Sequence, residues 1–180
     1  LGLLDGRRVA LVQADGIGKR LTELRATVET LPADTLVDEQ AAAAWARERA
    51  PLHGLVIDAA AVFGEGGAGP LQAALDLAWR ATRGVATGAM IEQSDPGRLV
   101  LVAPRPDAGD HAEAARAGLE NMARTLSVEW ARFQITAVAI GPGRETADAE
   151  VAELAAFVVS PAGGYLSGCR LDLGLVAQVS

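Results

Sequence analysis

VALVQADGIGKRL, residues 9–21, opens as a short apolar run, breaks at a turn ending in Gly16-Ile17-Gly18, and resumes with Ile17, Leu21, Leu24, Val28 and Leu31 at helical spacing. A buried strand feeding into an amphipathic helix is the first unit of an α/β fold. Asp15 stands at the head of that helix, where its carboxylate is expected to cap the backbone N–H groups and so place an internal anion at a natural anion site.

The alternation continues. Further strands are expected at Asp34–Glu39, Leu52–Gly64, Gly97–Pro104, Phe133–Gly143 and Cys169–Gly174. LHGLVIDAAAVFG, residues 52–64, is apolar at consecutive positions, as a parallel strand covered on both faces must be. Helices are expected after Asp38 as N-cap with Trp45 on an Ala-rich face, and over about 70–92 behind Pro70. Two more are expected over about 111–132 behind an Asp110/Glu113 capping box, and over Val151–Ser160. Right-handed crossovers between such strands give a doubly wound parallel sheet, a three-layer Rossmann-like sandwich spanning residues 1–180 as a single domain.

Composition bounds the function. The 180 residues are 50% hydrophobic, enough for one core, and the net charge of −7 supplies no basic field for nucleic acid. Cys169 is the only cysteine, and His53 and His111 are far apart, so no disulfide or metal cluster is expected. No basic-then-apolar leader opens the chain and no membrane-length apolar run occurs in it, so a cytoplasmic protein with no membrane contact is expected.

Four stretches, in order, carry a resemblance: GRLVLVAP (97–104), AGLENMARTLSVEWA (117–131), ITAVAIGPG (135–143) and EVAELAAFVVSPAGGYLSGCRLDLG (150–174). Together they resemble the short-chain dehydrogenase/reductase family from about Leu52 to Gly174, and more weakly from Arg8. The resemblance implies a Rossmann fold, NAD(P) at a glycine-rich first turn, and an Asn-Ser-Tyr-Lys set that oxidises alcohols or reduces carbonyls.

Position by position, that set is vacant. The asparagine matches Leu75 or neighbouring Asp76, the serine Pro104, the tyrosine Ala112 and the lysine Arg116. Tyr165 is the only tyrosine and Lys19 the only lysine, and they are not spaced as Tyr-x-x-x-Lys, so the last two roles are vacant anywhere in the chain. Alanine has no proton to give, and arginine cannot cycle one at neutral pH.

The cofactor turn, matched by Gln13 to Gly18, is about two residues short of the family's pattern. The 40 residues from Gly18 to Asp58 leave room for one βα unit where the family has two, so the fold is expected to be short by about one unit in its N-terminal half. The Asn-Asn-Ala-Gly segment reads Ile57, Asp58, Ala59, Ala60. Gly16, Gly18 and Asp58 are thus a remnant of the cofactor site: for the glycines, helix–strand packing is favoured over dinucleotide contact, and for Asp58 a strand-end cap over a catalytic acid. The Gly-Lys-Arg after Ile17 is not a phosphate loop, since Gln13 stands where its first glycine belongs.

The two long helices match the pair that forms a four-helix interface in family oligomers. Trp79, Met90, Leu119, Met122, Leu126 and Trp130 are the interface candidates, with the C-terminal strand a second surface. The resulting expectation is a non-catalytic binding or assembly subunit, in a homo-oligomer or beside an active relative, with no cofactor. An NAD(P)-dependent oxidoreductase using a substitute donor from Asp58, Asp76, Glu113 or a histidine is the alternative. A small-molecule or acyl-thioester binding module in the vacated cleft is a second one.

Overall fold

In the computed structural model, which describes residues 2–174, the chain forms one parallel sheet of six strands in the order β2-β1-β3-β4-β5-β6. The strands are β1 (Arg8–Val12), β2 (Thr27–Thr30), β3 (Gly54–Asp58), β4 (Gly97–Val102), β5 (Ile135–Gly141) and β6 (Cys169–Asp172). Between them run α1 (Asp15–Glu23), α2 (Glu39–Arg47), α3 (Ala59–Phe63), α4 (Ala68–Val85), α5 (Ala112–Glu129) and α6 (Asp148–Val159). β3 and β4 are buried over nearly their whole length, matching their unbroken apolar runs.

Side chains alternate between two apolar layers. Leu55, Ile57, Leu99, Leu101, Ala137 and Ala139 face α2, α4 and α5, while Val9, Leu11, Val56, Val100, Val138 and Ile140 face α1 and α6. The chain reverses its winding between β1 and β3, the switch point at which open α/β sheets bind ligands. One strand lies outside β1 where the usual dinucleotide-binding sheet has two, so the expected shortening is present.

Four local expectations are corrected. The run Leu52–Gly64 is a strand only over β3, because the Asp58 side chain caps a helix there and Ala59–Phe63 forms α3. The first helix does not reach Leu31: it stops at Glu23, and Val28 belongs to β2. The stop is a Schellman motif, with Arg25 N–H donating to Thr22 carbonyl (2.9 Å) and Ala26 N–H to Leu21 carbonyl (3.0 Å). Arg25 takes the left-handed conformation, φ 73°, that glycine usually supplies, and the β-branched Thr27-Val28 pair then favours a strand.

Asp34–Glu39 is not a strand. Ala33–Val37 forms a 3-10 turn, and Asp38 caps α2 as expected, accepting from Ala41 N–H at 2.7 Å. Asp110 and Glu113 make no capping box, because Asp110 is spent pairing its backbone with the glycine-rich loop, where Gly67 N–H donates to its carbonyl at 2.9 Å. His111, with φ 68°, stands at the N-cap of α5 instead, and its side chain makes no cap bond.

α4 continues from Val85 into a π turn over Ala86–Met90. It lies almost on the backbone of α2: a Cβ at Gly88 would meet Ala43 Cα at 2.8 Å, so only glycine permits this approach.

Candidate functional site

The C-terminal ends of β1, β3, β4 and β5 border a cleft of about 230 Å³ at the switch point. Ala14, Gly16 and Ile17 form one wall, Asp58 and Ala60 the base, and Ala103, Arg105, Pro142 and Asp148 the other side. Gly16 faces open space, whereas Gly18 turns inward, and a Cβ there would collide with the Leu11 side chain. The two glycines therefore divide the roles considered for them: Gly18 serves helix–strand packing and Gly16 opens on the cleft.

Asp58 closes β3 and caps the short α3, accepting from Ala60 N–H at 3.1 Å. Burial pushes its carboxyl above the ordinary carboxylate range, hydrogen bonds from the Ala61 and Ala60 N–H groups oppose this, and the charge of Asp148 adds to the rise. Among the substitute donors Asp58, Asp76, Glu113, His53 and His111, Asp58 alone lines the cleft.

Asp15 does not cap α1. Ala14 occupies the N-cap and Asp15 is the first helical residue, exposed and without a side-chain cap bond. The two-residue-short turn brings Ala14 rather than the acid to the capping position, so Asp15 acts on the helix only through its charge.

Arg105 and Asp148 are site residues that periodicity passed over. Arg105 follows β4 and reaches across the cleft mouth, donating to Gly143 carbonyl (2.9 Å) and to Asp148 Oδ1 (2.8 Å). A charged residue three positions past the end of a fully buried strand was the available signal, since that is where such sheets carry their sites.

Behind the cleft, Arg116 joins three strand-end segments. Its Nη1 donates to the carbonyls of Pro104 and Pro142, both at 2.8 Å, and its Nη2 to Asp172 Oδ1 at 3.2 Å. Asp172 also accepts from Arg170 Nε at 2.8 Å, and Arg170 reaches Glu120 at 2.9 Å, so alternating charges bind the edge strand β6 to α5. Gly141 leaves room for this pair, since a Cβ there would stand 2.5 Å from Asp172 Oδ1 and 3.0 Å from Arg116 Nη2.

Solved structures with the same arrangement include several short-chain dehydrogenases. A short-chain dehydrogenase/reductase variant from Serratia marcescens superposes with a TM-score of 0.75 at 20% identity, over 95% of this chain and 97% of that one. A short-chain dehydrogenase from Escherichia coli CFT073 gives 0.72 at 19% identity, over 95% and 97% of the two chains. The citronellol catabolism dehydrogenase of Pseudomonas aeruginosa PAO1 gives 0.68 at 23% identity, over 95% of each. This chain has the short-chain dehydrogenase/reductase fold. No family profile and no curated protein matches the sequence.

Within the short-chain dehydrogenase fold, the positions that the resemblance assigns to the catalytic set lie away from the cleft. Leu75, Pro104, Ala112 and Arg116 are absent from the cleft lining. Leu75 seats against Gly118 of α5, Pro104 and Ala112 are buried, and Arg116 has 7% of its side chain exposed. Tyr165 is 97% exposed in the turn before β6, at the opposite end of the sheet, and Lys19 is exposed on α1.

Four of the six interface candidates need correction. Met90, Leu119, Leu126 and Trp130 lie in this chain's own core, with exposures of 0, 0, 1 and 8%, because their stripe faces the sheet. Met122 is half-buried against the same core. Trp79 keeps 37% of its surface exposed, with the Arg83 guanidinium 5.3 Å from the ring centroid. Among the described residues no helix is long and apolar enough to cross a membrane, and no three His, Cys, Asp or Glu side chains are grouped to hold a metal ion.

Proposed function

We propose that this protein is a non-catalytic member of its fold that works as a binding or assembly subunit, either with copies of itself or beside an active dehydrogenase. The observation that carries the reading is the engagement of Arg116. At the position where the resemblance expects a lysine serving tyrosine and ribose, a guanidinium is held by two backbone carbonyls and a carboxylate. One turn earlier on α5, Ala112 has nothing to donate.

Three features speak against a nicotinamide dinucleotide. The cleft volume of about 230 Å³ falls below the roughly 300–1,000 Å³ typical of pockets for much smaller ligands. Asp58 and Asp148 present carboxyl groups to it, against one arginine already engaged by Asp148. The first turn is short where the pyrophosphate would sit. No cofactor is assigned.

Assembly is supported by Trp79 on α4 and Val128, 79% exposed, on α5, apolar surface that the chain's own core does not cover. A second reading, small-molecule binding in the cleft, is favoured by the raised carboxyl of Asp58 beside the open face of Gly16. The test is a panel of ketones and aldehydes with NADH and NADPH, run beside sedimentation velocity. Turnover above the uncatalysed rate would overturn the non-catalytic reading, and a strict monomer that also ignores an active relative would overturn assembly.

A further inference from the structure

At the opposite end of the sheet stands an arginine that no acid among the described residues pairs. Arg98, the second residue of β4, is 7% exposed, and its side chain donates from Nη1 to its neighbour's carbonyl, Gly97, at 2.9 Å. Its Nε is buried without a partner, and among the described residues no carboxylate lies within 4.0 Å of the guanidinium. Burial lowers its pKa, and the charge of Arg7 lowers it further with no acid to offset it. An unpaired buried charge is among the costliest things a fold can hold.

The surroundings are equally one-sided. Arg98 sits in a cross-strand row between Gly54 of β3 and Thr136 of β5. Thr136 Oγ1 is also buried without a partner. Both side chains line a pocket of about 340 Å³ whose other walls include Ser127, Gln134, Gly164 and Ser167 and no acidic residue. A Cβ at Gly164 would stand 2.7 Å from Arg98 Nη2, so glycine there keeps the guanidinium accessible from that side. In a chain of net charge −7, an acid-free pocket floored by an unpaired arginine is a site with one ligand chemistry missing.

We propose that this pocket binds an oxyanion, the phosphoryl or carboxylate group of a small molecule, on Arg98 and Thr136. It lies roughly 16 Å along β4 from the switch-point cleft, five residues at strand rise, and does not depend on what that cleft binds. Arg98 supplies the charge and a planar fork of donors, and the Thr136 hydroxyl supplies a neutral donor beside it.

The test compares thermal unfolding in inorganic phosphate, in acetate, and in chloride at matched ionic strength, for the wild type, Arg98→Met and Thr136→Val. Subtracting the variants removes the general stabilisation that phosphate gives any protein. The expected result is a wild-type rise of roughly 5 °C at 100-fold excess over the dissociation constant, absent in Arg98→Met and reduced in Thr136→Val. A response to phosphate identifies a phosphoryl ligand, and a response to acetate alone a carboxylate. If Arg98→Met does not fold, the nearly isosteric Thr136→Val carries the comparison. Equal responses of wild type and variant to both anions, or no response at all, would overturn the proposal.

Discussion

Arg116 on α5 and Asp172 on β6 meet at 3.2 Å behind the cleft, and the same guanidinium holds the carbonyls that follow β4 and β5. One side chain thereby fixes the ends of three neighbouring strands. Removing Asp172 leaves a nearly buried positive charge short of its partner, so Asp172→Ala is expected to destabilise the fold by about 2–3 kcal/mol. Arg116→Lys, which cannot reach three acceptors at once, is expected to cost a similar amount. Urea unfolding of both variants measures this, and unchanged midpoints would show that the staple carries no stability.

Arg25 offers a gain. Its left-handed backbone costs a side-chain-bearing residue about 1–2 kcal/mol, against about 0.5–1 kcal/mol of extra chain entropy that glycine would lose on folding. Arg25→Gly is therefore expected to stabilise by about 0.5–1 kcal/mol and raise Tm by roughly 1–4 °C. A lower Tm would mean that the arginine side chain contributes more than its backbone costs.

Two groups set opposite pH trends. His53 is held below its ordinary value of 6.5, first by burial and then by Arg7, while its Nδ1 accepts from Arg8 N–H at 3.0 Å. Its neutral form is the folded one, so its contribution is complete above 6.5 and is lost as pH falls through that value towards the folded pKa. Asp58 is raised above 3.8 by burial, so its favourable contribution is complete below 3.8 and lost as pH rises through the folded pKa. Asp58→Asn, which keeps the capping oxygen for Ala60 N–H, is expected to be more stable than wild type at neutral pH and to lose that advantage in acid. Chemical unfolding at about pH 7 and about pH 4 tests the sign, and an Asn variant less stable at neutral pH would contradict it.

Trp79 is expected to matter for association and little for folding. Because 37% of it is exposed, Trp79→Asp is expected to shift stability by less than about 1 kcal/mol while weakening self-association or partner capture at least tenfold. Sedimentation of the variant over a concentration series decides this. An unchanged association constant would move the interface elsewhere.

The buried strands β1, β3, β4 and β5 were legible because both faces are covered and the apolar runs are unbroken. β2 was not, since it is an edge strand of mixed exposure and its boundary is set by Arg25 in a conformation that no residue type announces. At the cleft, Asp58 was readable from its place at the end of a buried strand. Arg105 and Asp148 meet only when the loop after β4 folds against the start of α6, which spacing along the chain does not encode. The identities at 75, 104, 112 and 116 were plain, but the carbonyls that occupy Arg116 come from Pro104 and Pro142, 12 and 26 positions away. Four of the six interface candidates, Met90, Leu119, Leu126 and Trp130, lie in the core for a simpler reason: an apolar stripe reads the same whether it faces a sheet or a partner, and Leu119 and Leu126 face the sheet.

The most direct test of the non-catalytic reading is calorimetric titration of the purified protein with NADPH and NADH. The short turn, the carboxyl groups of Asp58 and Asp148 and the engaged Arg116 predict no saturable heat up to about 1 mM of either, the upper end of ordinary enzyme affinities. Saturable binding in the micromolar range would contradict that reading and return the cleft to dehydrogenase chemistry.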